Sequence, residues 1–475
     1  MRFTRRRLEP KWTESSIAGR SPVRTEEARR KPSRIEWNSS RVFAFLAFVA
    51  AGSAAISCSS SDGDGVGEPP APIDASVDDA GDGAPSVRDA GAVDLTPRPI
   101  ACASPPCAAA LVTTLGATPD DRSQGFCALL EDGTVACWGA NGEGQLGRGA
   151  DAERLDSAHP QRVVGLSDVV RLDHTCAIDK SGAVWCWGRG PFLRPDAGAA
   201  VTTERAPVKL DLPRATRVGL GHATACAAVE DGLLCWGSNA DAQLSPLTAP
   251  SDDAGAPTSI PMSSGPPIVS IAVGRATFVL REDGTLVTWG ANPPLGRVSS
   301  RLPDPYPLAI ELGGVRSADL AHDDACATAG GIGYCWGARV LPPTWNNGSP
   351  LDRALPEPVV APEPLIQIAT TRTYEIENIG VQRHRWCATA ASGSVYCWGS
   401  NESGQAGDGT DDFAFDAVKV EGLPEPAAQV KTTADTTCAL LTNGKIYCWG
   451  GNYNGQLGNG QVKGRSLAPV EVMLP

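Results

Sequence analysis

An all-β chain made of repeated units is what this sequence predicts, on three observations. Trp-Gly recurs seven times, at Trp138, Trp187, Trp236, Trp289, Trp336, Trp398 and Trp449, at intervals of 47 to 62 residues. Before each Trp-Gly lie two short apolar runs around a turn such as "EDG", "KSG", "ASG" or "TNG", the pattern of an antiparallel hairpin. Gly (52) and Pro (39) are plentiful among the 475 residues, which reads as turn-rich. A period of about 50 residues repeated in this way marks a toroidal or solenoid array, and overrides the three independent domains that length alone suggests.

The front end reads as an address. Residues 1–41 are polar and basic, and "VFAFLAFVAAGSAAIS" (42–57) is sixteen residues without a charge. That is short for a membrane-spanning helix, which needs about 20 residues, and it suits the core of a secretory signal. The stretch ends "AAISC", and a small residue before Cys58 resembles the lipobox of bacterial lipoproteins, although Ala55 stands where Leu is usual. The resemblance implies that Cys58 is the lipid attachment site, with 1–57 removed. Residues 58–100, acidic and rich in Gly, Pro, Ser and Asp, bury too little apolar surface to fold and read as a disordered tether. The repeat body is then 101–475.

The cysteines fall into the hairpins. Four pairs are ten apart: Cys127 and Cys137, Cys176 and Cys186, Cys387 and Cys397, Cys438 and Cys448. Placing them opposite each other leaves three-residue loops ending in Gly133, Gly182, Gly393 and Gly444, as a type I turn with a G1 bulge requires. Cys226 and Cys235, and Cys326 and Cys335, are nine apart. The latter leaves Gly330-Gly331 as a two-residue turn; the former leaves Glu230-Asp231 with Gly232 just outside. Opposed residues are close enough for disulfides. The fourth unit, "FVLREDGTLVTWG", has Phe278 and Thr288 at both cysteine positions. Both partners are missing together, as bonded sulfurs require. A metal site would need four converging ligands, and the pairs sit in different units. Cys102 and Cys107 are left to pair with each other.

After Trp-Gly comes a second signature, clear in "ANGEGQLGRG" (140–149), "SNESGQAGDG" (400–409) and "GNYNGQLGNG" (451–460). Its Asn and Gly are turn-makers, and the Gly-Lys-Ser/Thr of a phosphate loop is missing. Taken together, Cys-Ala-Leu, Asp-Gly, Cys-Trp-Gly and Asn-x-x-Gly-Gln-Leu-Gly resemble the repeat of the regulator of chromosome condensation, over roughly residues 110–475. The paired cysteines resemble its exported bacterial members. The resemblance implies a seven-bladed β-propeller. The Trp of each unit is then read as packing between blades. "AALVTTLGA" (109–117) and "LAPVEVMLP" (467–475) look like two halves of one blade, so the ring is expected to close by pairing of N- and C-terminal strands, which hides sheet edges.

No catalytic constellation is visible, neither Gly-x-Ser-x-Gly, His-Glu-x-x-His nor a Rossmann glycine run, and no cofactor or metal is expected. His174, His222, His322 and His384 precede cysteines by two to four residues and are assigned to strand-end hydrogen bonds. Beyond residue 57 the chain holds 29 basic and 49 acidic residues, a net charge of −20, which repels nucleic acid. Insertions at 190–206, 246–266, 339–364 and 371–385 interrupt the repeat, and such insertions often gather on a binding face. In "TRTYEIENIGVQRHRW" (371–386), Tyr374, Arg383, Arg385 and Trp386 have the composition of an interface; a loop that only covers a blade edge is the alternative. The expectation is a monomeric, non-catalytic binding protein. Lipid on Cys58 would anchor it to the cell envelope, at the outer membrane or cell surface, and its partner would be an extracytoplasmic protein or polymer. The resemblance implies two alternatives. One is an inhibitor of a secreted or periplasmic enzyme, since an exported relative blocks a β-lactamase. The other is guanine-nucleotide exchange, which export and acidity oppose.

Overall fold

The hairpins form where their turn residues place them. In the first unit Leu129 pairs with Val135 and Cys127 with Cys137, and Gly133 closes the Glu131-Asp132-Gly133 loop at φ +77°. The Asp132 carboxylate accepts from the Thr134 amide at 2.9 Å. Asp283 and Asn443 repeat this bond in their own turns, which is why the motif reads Asp-Gly or Asn-Gly. The two shorter units close on Val229 with Gly232 and on Ala329 with Ile332. Their two-residue loops are those the cysteine spacing predicts. The structure, a computed structural model, describes residues 93–475 apart from 103, 117–121, 151–154, 195–199, 245–250, 252, 338–354 and 372–384. The expected signal, Cys58 and most of the tether lie outside these residues.

Each hairpin is the middle of a four-stranded antiparallel sheet. In the first blade β1 (Ala108–Leu115), β2 (Arg122–Leu130), β3 (Val135–Gly139) and β4 (Ser157–Arg162) lie side by side in chain order. Six further sheets repeat the order, over 169–209, 215–260, 268–309, 315–359, 365–419 and 427–471. The first strands of neighbouring blades touch at all seven interfaces, the last with the first included. The chain is therefore a seven-bladed propeller.

Closure differs from the expectation. The terminal strands do not share a blade: β1 pairs with β2, and the last strand, Arg465–Glu471, pairs with its own neighbour, Ile446–Gly451. The reason lies in the link between units. In "HPQRVVGLSDVVRLD" the first half is the outer strand of one blade and the second half the inner strand of the next. They are not a hairpin, so a first half and a second half left at the two ends need no joint blade. The seam closes through the same bond as five of the other interfaces. The Ala108 amide donates to the Gly444 carbonyl at 2.9 Å. It repeats the bonds of Val169 to Gly133, Ala215 to Gly182, Val315 to Gly284, Leu365 to Gly331 and Ala427 to Gly393. The seam also buries Leu111, Phe126 and Trp138 against Leu440, Ile446, Leu457 and Val472.

The two sequence signatures meet at these interfaces. Trp187 donates its indole N–H to the Gln145 carbonyl of the preceding blade at 2.9 Å. Trp236, Trp289, Trp336 and Trp449 do likewise to Pro191, Gln243, Pro294 and Gln405. Trp138 reaches Gln456 across the seam at 2.9 Å. The Gly-Gln-Leu-Gly loop is shaped for this. Asn141 accepts the Leu146 amide and Gln145 the Glu143 amide, a pattern repeated by Asn401 with Gln405 and by Asn452 with Gln456. The last glycine of the loop lets the next indole approach. A Cβ at Gly147 would lie 3.1 Å from Trp187, and one at Gly458 3.0 Å from Trp138.

Six disulfides join the second and third strands within blades, each with Cα atoms 4.1 Å apart, and Cys102 bonds Cys107. In the fourth blade Phe278 opposes Thr288. Phe278 stacks on Trp336 at 5.9 Å, and Thr288 donates to the Leu295 carbonyl at 2.6 Å. Apolar packing and a hydrogen bond fill the place of the bridge.

Two outcomes follow. Trp187→Phe leaves the buried Gln145 carbonyl without its donor and opens a void, so equilibrium denaturation should show a loss of about 2–4 kcal/mol. Replacing Phe278 and Thr288 together by Cys should form a seventh in-blade bridge, seen by mass mapping of the unreduced protein. Stability should not rise, because a gain of about 2–3 kcal/mol from the bridge is offset by about 3 kcal/mol lost with the Phe278 ring.

Candidate partner-binding face

An antiparallel blade has two ends. The connections from first to second strand and from third to fourth open at one end; the hairpin turns and the links between blades lie at the other. The insertion at 190–206 spans the step from a third strand to its fourth. Those at 246–266 and 339–364 begin in that step, take in the fourth strands Gly255–Ile260 and Glu357–Val359 and run on into the link to the next blade; and 371–385 spans the step from a first strand to a second. The described strand ends that flank these third-to-fourth and first-to-second steps open on one face, together with the Asn-x-x-Gly-Gln loops; residues 195–199, 245–250, 338–354 and 372–384 lie outside the described residues.

Two hollows mark this face. Between the second and third blades a groove of about 530 Å³ is lined by Phe192, Leu193, Arg194, Trp236, Ala254 and Pro257 among others. Arg194 is fixed by Glu204 at 2.8 Å, leaving a largely apolar floor. On the axis, a cavity of about 200 Å³ is lined by His174, His222, Arg275 and His322, with Asp241 beside them. Arg275 pairs with Asp241 at 3.0 Å. His174 Nδ1 lies 2.9 Å from the Thr113 carbonyl, and His322 Nδ1 2.9 Å from the Asp323 carboxylate. These two histidines make the strand-end contacts expected of them; His384 lies outside the described residues.

The residues proposed for partner contact separate. Tyr374 and Arg383 lie outside the described residues, but the ends of their segment are fixed, with Thr371 paired to Arg385. Arg385 is not a surface group, because its side chain is 1% exposed. Its guanidinium turns into the interface with the last blade and donates to the carbonyls of Thr433, Thr436 and Gln405 and to the Thr437 hydroxyl. Burial lowers its pKa to about 9, still charged at neutral pH, while burial raises that of Asp435 nearby. Arg385 anchors the base of the insertion and touches no solvent partner. Trp386 is half-buried and lies 6.0 Å from Trp398.

Exposed aromatics that composition did not single out stand elsewhere. Phe415 is 86% exposed and packs on Phe413 at 4.7 Å; Tyr453, in the last Asn-x-x-Gly loop, is 69% exposed. The alternation in "DDFAFD" was the available signal for the first pair, since every second residue of an outer strand faces away from its neighbour blade. Among the described residues, one group of three donors could hold a metal, Cys102, Cys107 and Glu131, and its two sulfurs are bonded to each other.

Comparison with known proteins agrees with this architecture. Two models of the regulator of chromosome condensation (RCC1) repeat match residues 132–177 and 443–475, and 172–192 and 427–456. The ultraviolet-B receptor UVR8 of Arabidopsis thaliana is 28% identical over 358 residues, covering 72% of this chain and 78% of the receptor. The human regulator of chromosome condensation is 25% identical over 374 residues, covering 72% and 86%. Among solved structures, Prp20p from Saccharomyces cerevisiae superposes with a TM-score of 0.54 at 18% identity, over 76% of this chain and 87% of that one. Human WBSCR16 gives 0.54 at 19%, over 72% and 95%. The chain thus carries RCC1-type repeats in its first, second and last blades, on a propeller fold shared with those proteins.

Proposed function

We propose that this protein is a non-catalytic binding protein of the cell envelope that holds a protein or polymer partner against one face of its propeller. The observation that carries the reading is that the strand steps holding all four insertions open on that face, beside the groove at Phe192 and Trp236. Seven disulfides suit an oxidising compartment outside the cytoplasm. The acidic body disfavours nucleic acid. Prp20p is a propeller with binding properties towards Gsp1p and histones, and use of the fold as a protein-binding scaffold is what we carry over. Among the described residues no helix is long and apolar enough to cross a membrane. Lipid on Cys58, followed by the acidic tether, supplies the anchor in this reading, and Ser59 directly after Cys58, by resemblance to lipoprotein sorting, favours the outer membrane or cell surface. An enzyme inhibitor would use the same face and would differ only in lowering its partner's activity.

Two experiments test this. Affinity capture from the envelope with Pro85–Pro475, a compact unit, should retain a partner that binds about tenfold or more weakly once residues 373–383 are replaced by a short Gly-Ser link. Equal retention by both forms contradicts the assignment of the face. Cys58→Ser should abolish labelling by a fatty-acid analogue and move the protein to the soluble fraction; a variant that stays labelled contradicts the anchor.

A further inference from the structure

Six of the seven disulfides are sealed inside blades, with no cysteine more than 9% exposed. The seventh differs in its surroundings. Cys102 is half-buried in an irregular segment, with Ser104, Pro105 and Pro106 exposed beside it. An open hollow of about 440 Å³, lined by Pro105, Pro106, Cys107, Glu131, Arg162 and Pro475 among others, leads to the bridge.

That segment, residues 93–107, is a strap across the face opposite the insertions. Leu95 packs on the Gly331 turn of the fifth blade. Arg98 donates from Nε and Nη2 to the Ala391 carbonyl of the sixth, at 3.2 and 2.8 Å. The Ala101 amide donates to the Thr442 carbonyl of the seventh at 2.7 Å, and the Cys107 carbonyl accepts from the Glu131 amide of the first at 3.0 Å. The strap thus crosses the seam of the ring. The bridge sits at the crossing: both sulfurs rest on the Gly444 turn, leaving no room there for a Cβ, and the Gly444 carbonyl accepts the seam bond from Ala108.

We propose that Cys102–Cys107 is a thiol-exchange site, open to a dithiol reductant while the six in-blade bridges stay closed, and that it latches the strap over the seam. The thiolate of the dithiol attacks the sulfur of half-buried Cys102, the Cys102–Cys107 bond breaks, and Cys107 leaves and takes a proton. The second thiol of the reductant then resolves the mixed disulfide and releases Cys102 as a thiol. Two electrons and two protons pass to the bridge, and the reductant leaves as a disulfide. The Cys107 sulfur lies 4.0 Å from the Asn443 carbonyl and 3.9 Å from its neighbour's, acceptors for the new thiol. The Glu131 carboxylate, within 4.8 Å of both sulfurs, favours a thiol over a thiolate there. Once open, residues 102–107 are no longer held in a closed loop, and the strap loosens at Ala101 and Ala108.

The test is graded reduction of the folded full-length protein by dithiothreitol, followed by alkylation and mass mapping. Cys102 and Cys107 should be labelled about tenfold sooner than any in-blade cysteine. Hydrogen exchange should then rise at the Ala101 and Ala108 amides and stay unchanged at Val169 and Ala215, which make the same link in other blades. The melting temperature should fall by about 3 °C, and replacing both cysteines by Ser should reproduce these changes without reductant. In-blade bridges that open together with Cys102–Cys107 would overturn the exchange site. Selective opening that leaves exchange at Ala101 and Ala108 unchanged would overturn the latch.

Discussion

A tryptophan side chain reaching back to the preceding blade is the interaction on which the structure depends. A β-sheet of four short strands cannot bury both faces alone, so each blade must be covered by two neighbours. The indole supplies a large apolar surface for that purpose and one N–H that must find an acceptor when buried. The acceptor is a backbone carbonyl in a loop whose shape is set by Asn and Gln side chains and whose last glycine admits the ring. Spacing, loop motif and ring closure are consequences of that single contact repeated around the axis. Trp138 and Gln456 show that it joins the two ends of the chain as it joins five other pairs of blades.

The same geometry separates support from recognition. Hairpin turns, blade links and the strap occupy one face, where a turn glycine carbonyl holds the next blade at six of the seven interfaces. The other face carries the loops that sequence can lengthen without disturbing an interface. A connection between strands can lengthen there at little cost in conformational entropy, whereas a longer hairpin turn on the opposite face would break a link between blades. The disulfides reinforce the hairpins that carry the tryptophans and do not themselves join blades.

Much of this was legible in the sequence because it is local. The three-residue turns ending in Gly133, Gly182, Gly393 and Gly444, the opposed cysteines and the absence of both partners at Phe278 and Thr288 all follow from short-range spacing. Blade boundaries were not, because a repeat has a period but no phase. Residues 159–173 read equally well as a hairpin and as the step from one blade to the next, and only contacts far apart in the chain distinguish them. Arg385 misled for a related reason. A charged residue flanked by aromatics looks like an interface until the Thr433, Thr436 and Gln405 carbonyls, supplied by other strands, appear around it. Residues 93–100 of the strap were read as tether and only 101–107 as body; Leu95 and Arg98 pack on the propeller, which local sequence does not reveal because Arg98 and Ala391 are 293 residues apart.

Solvent protection of the indole N–H groups, measured by nuclear magnetic resonance with labelled tryptophan and assigned by single Trp→Phe replacements, tests ring closure most directly. Trp138, at the seam, should exchange as slowly as Trp187, Trp236 and Trp289 within the chain. A Trp138 indole that exchanges freely while those three remain protected would contradict a closed ring held by this contact.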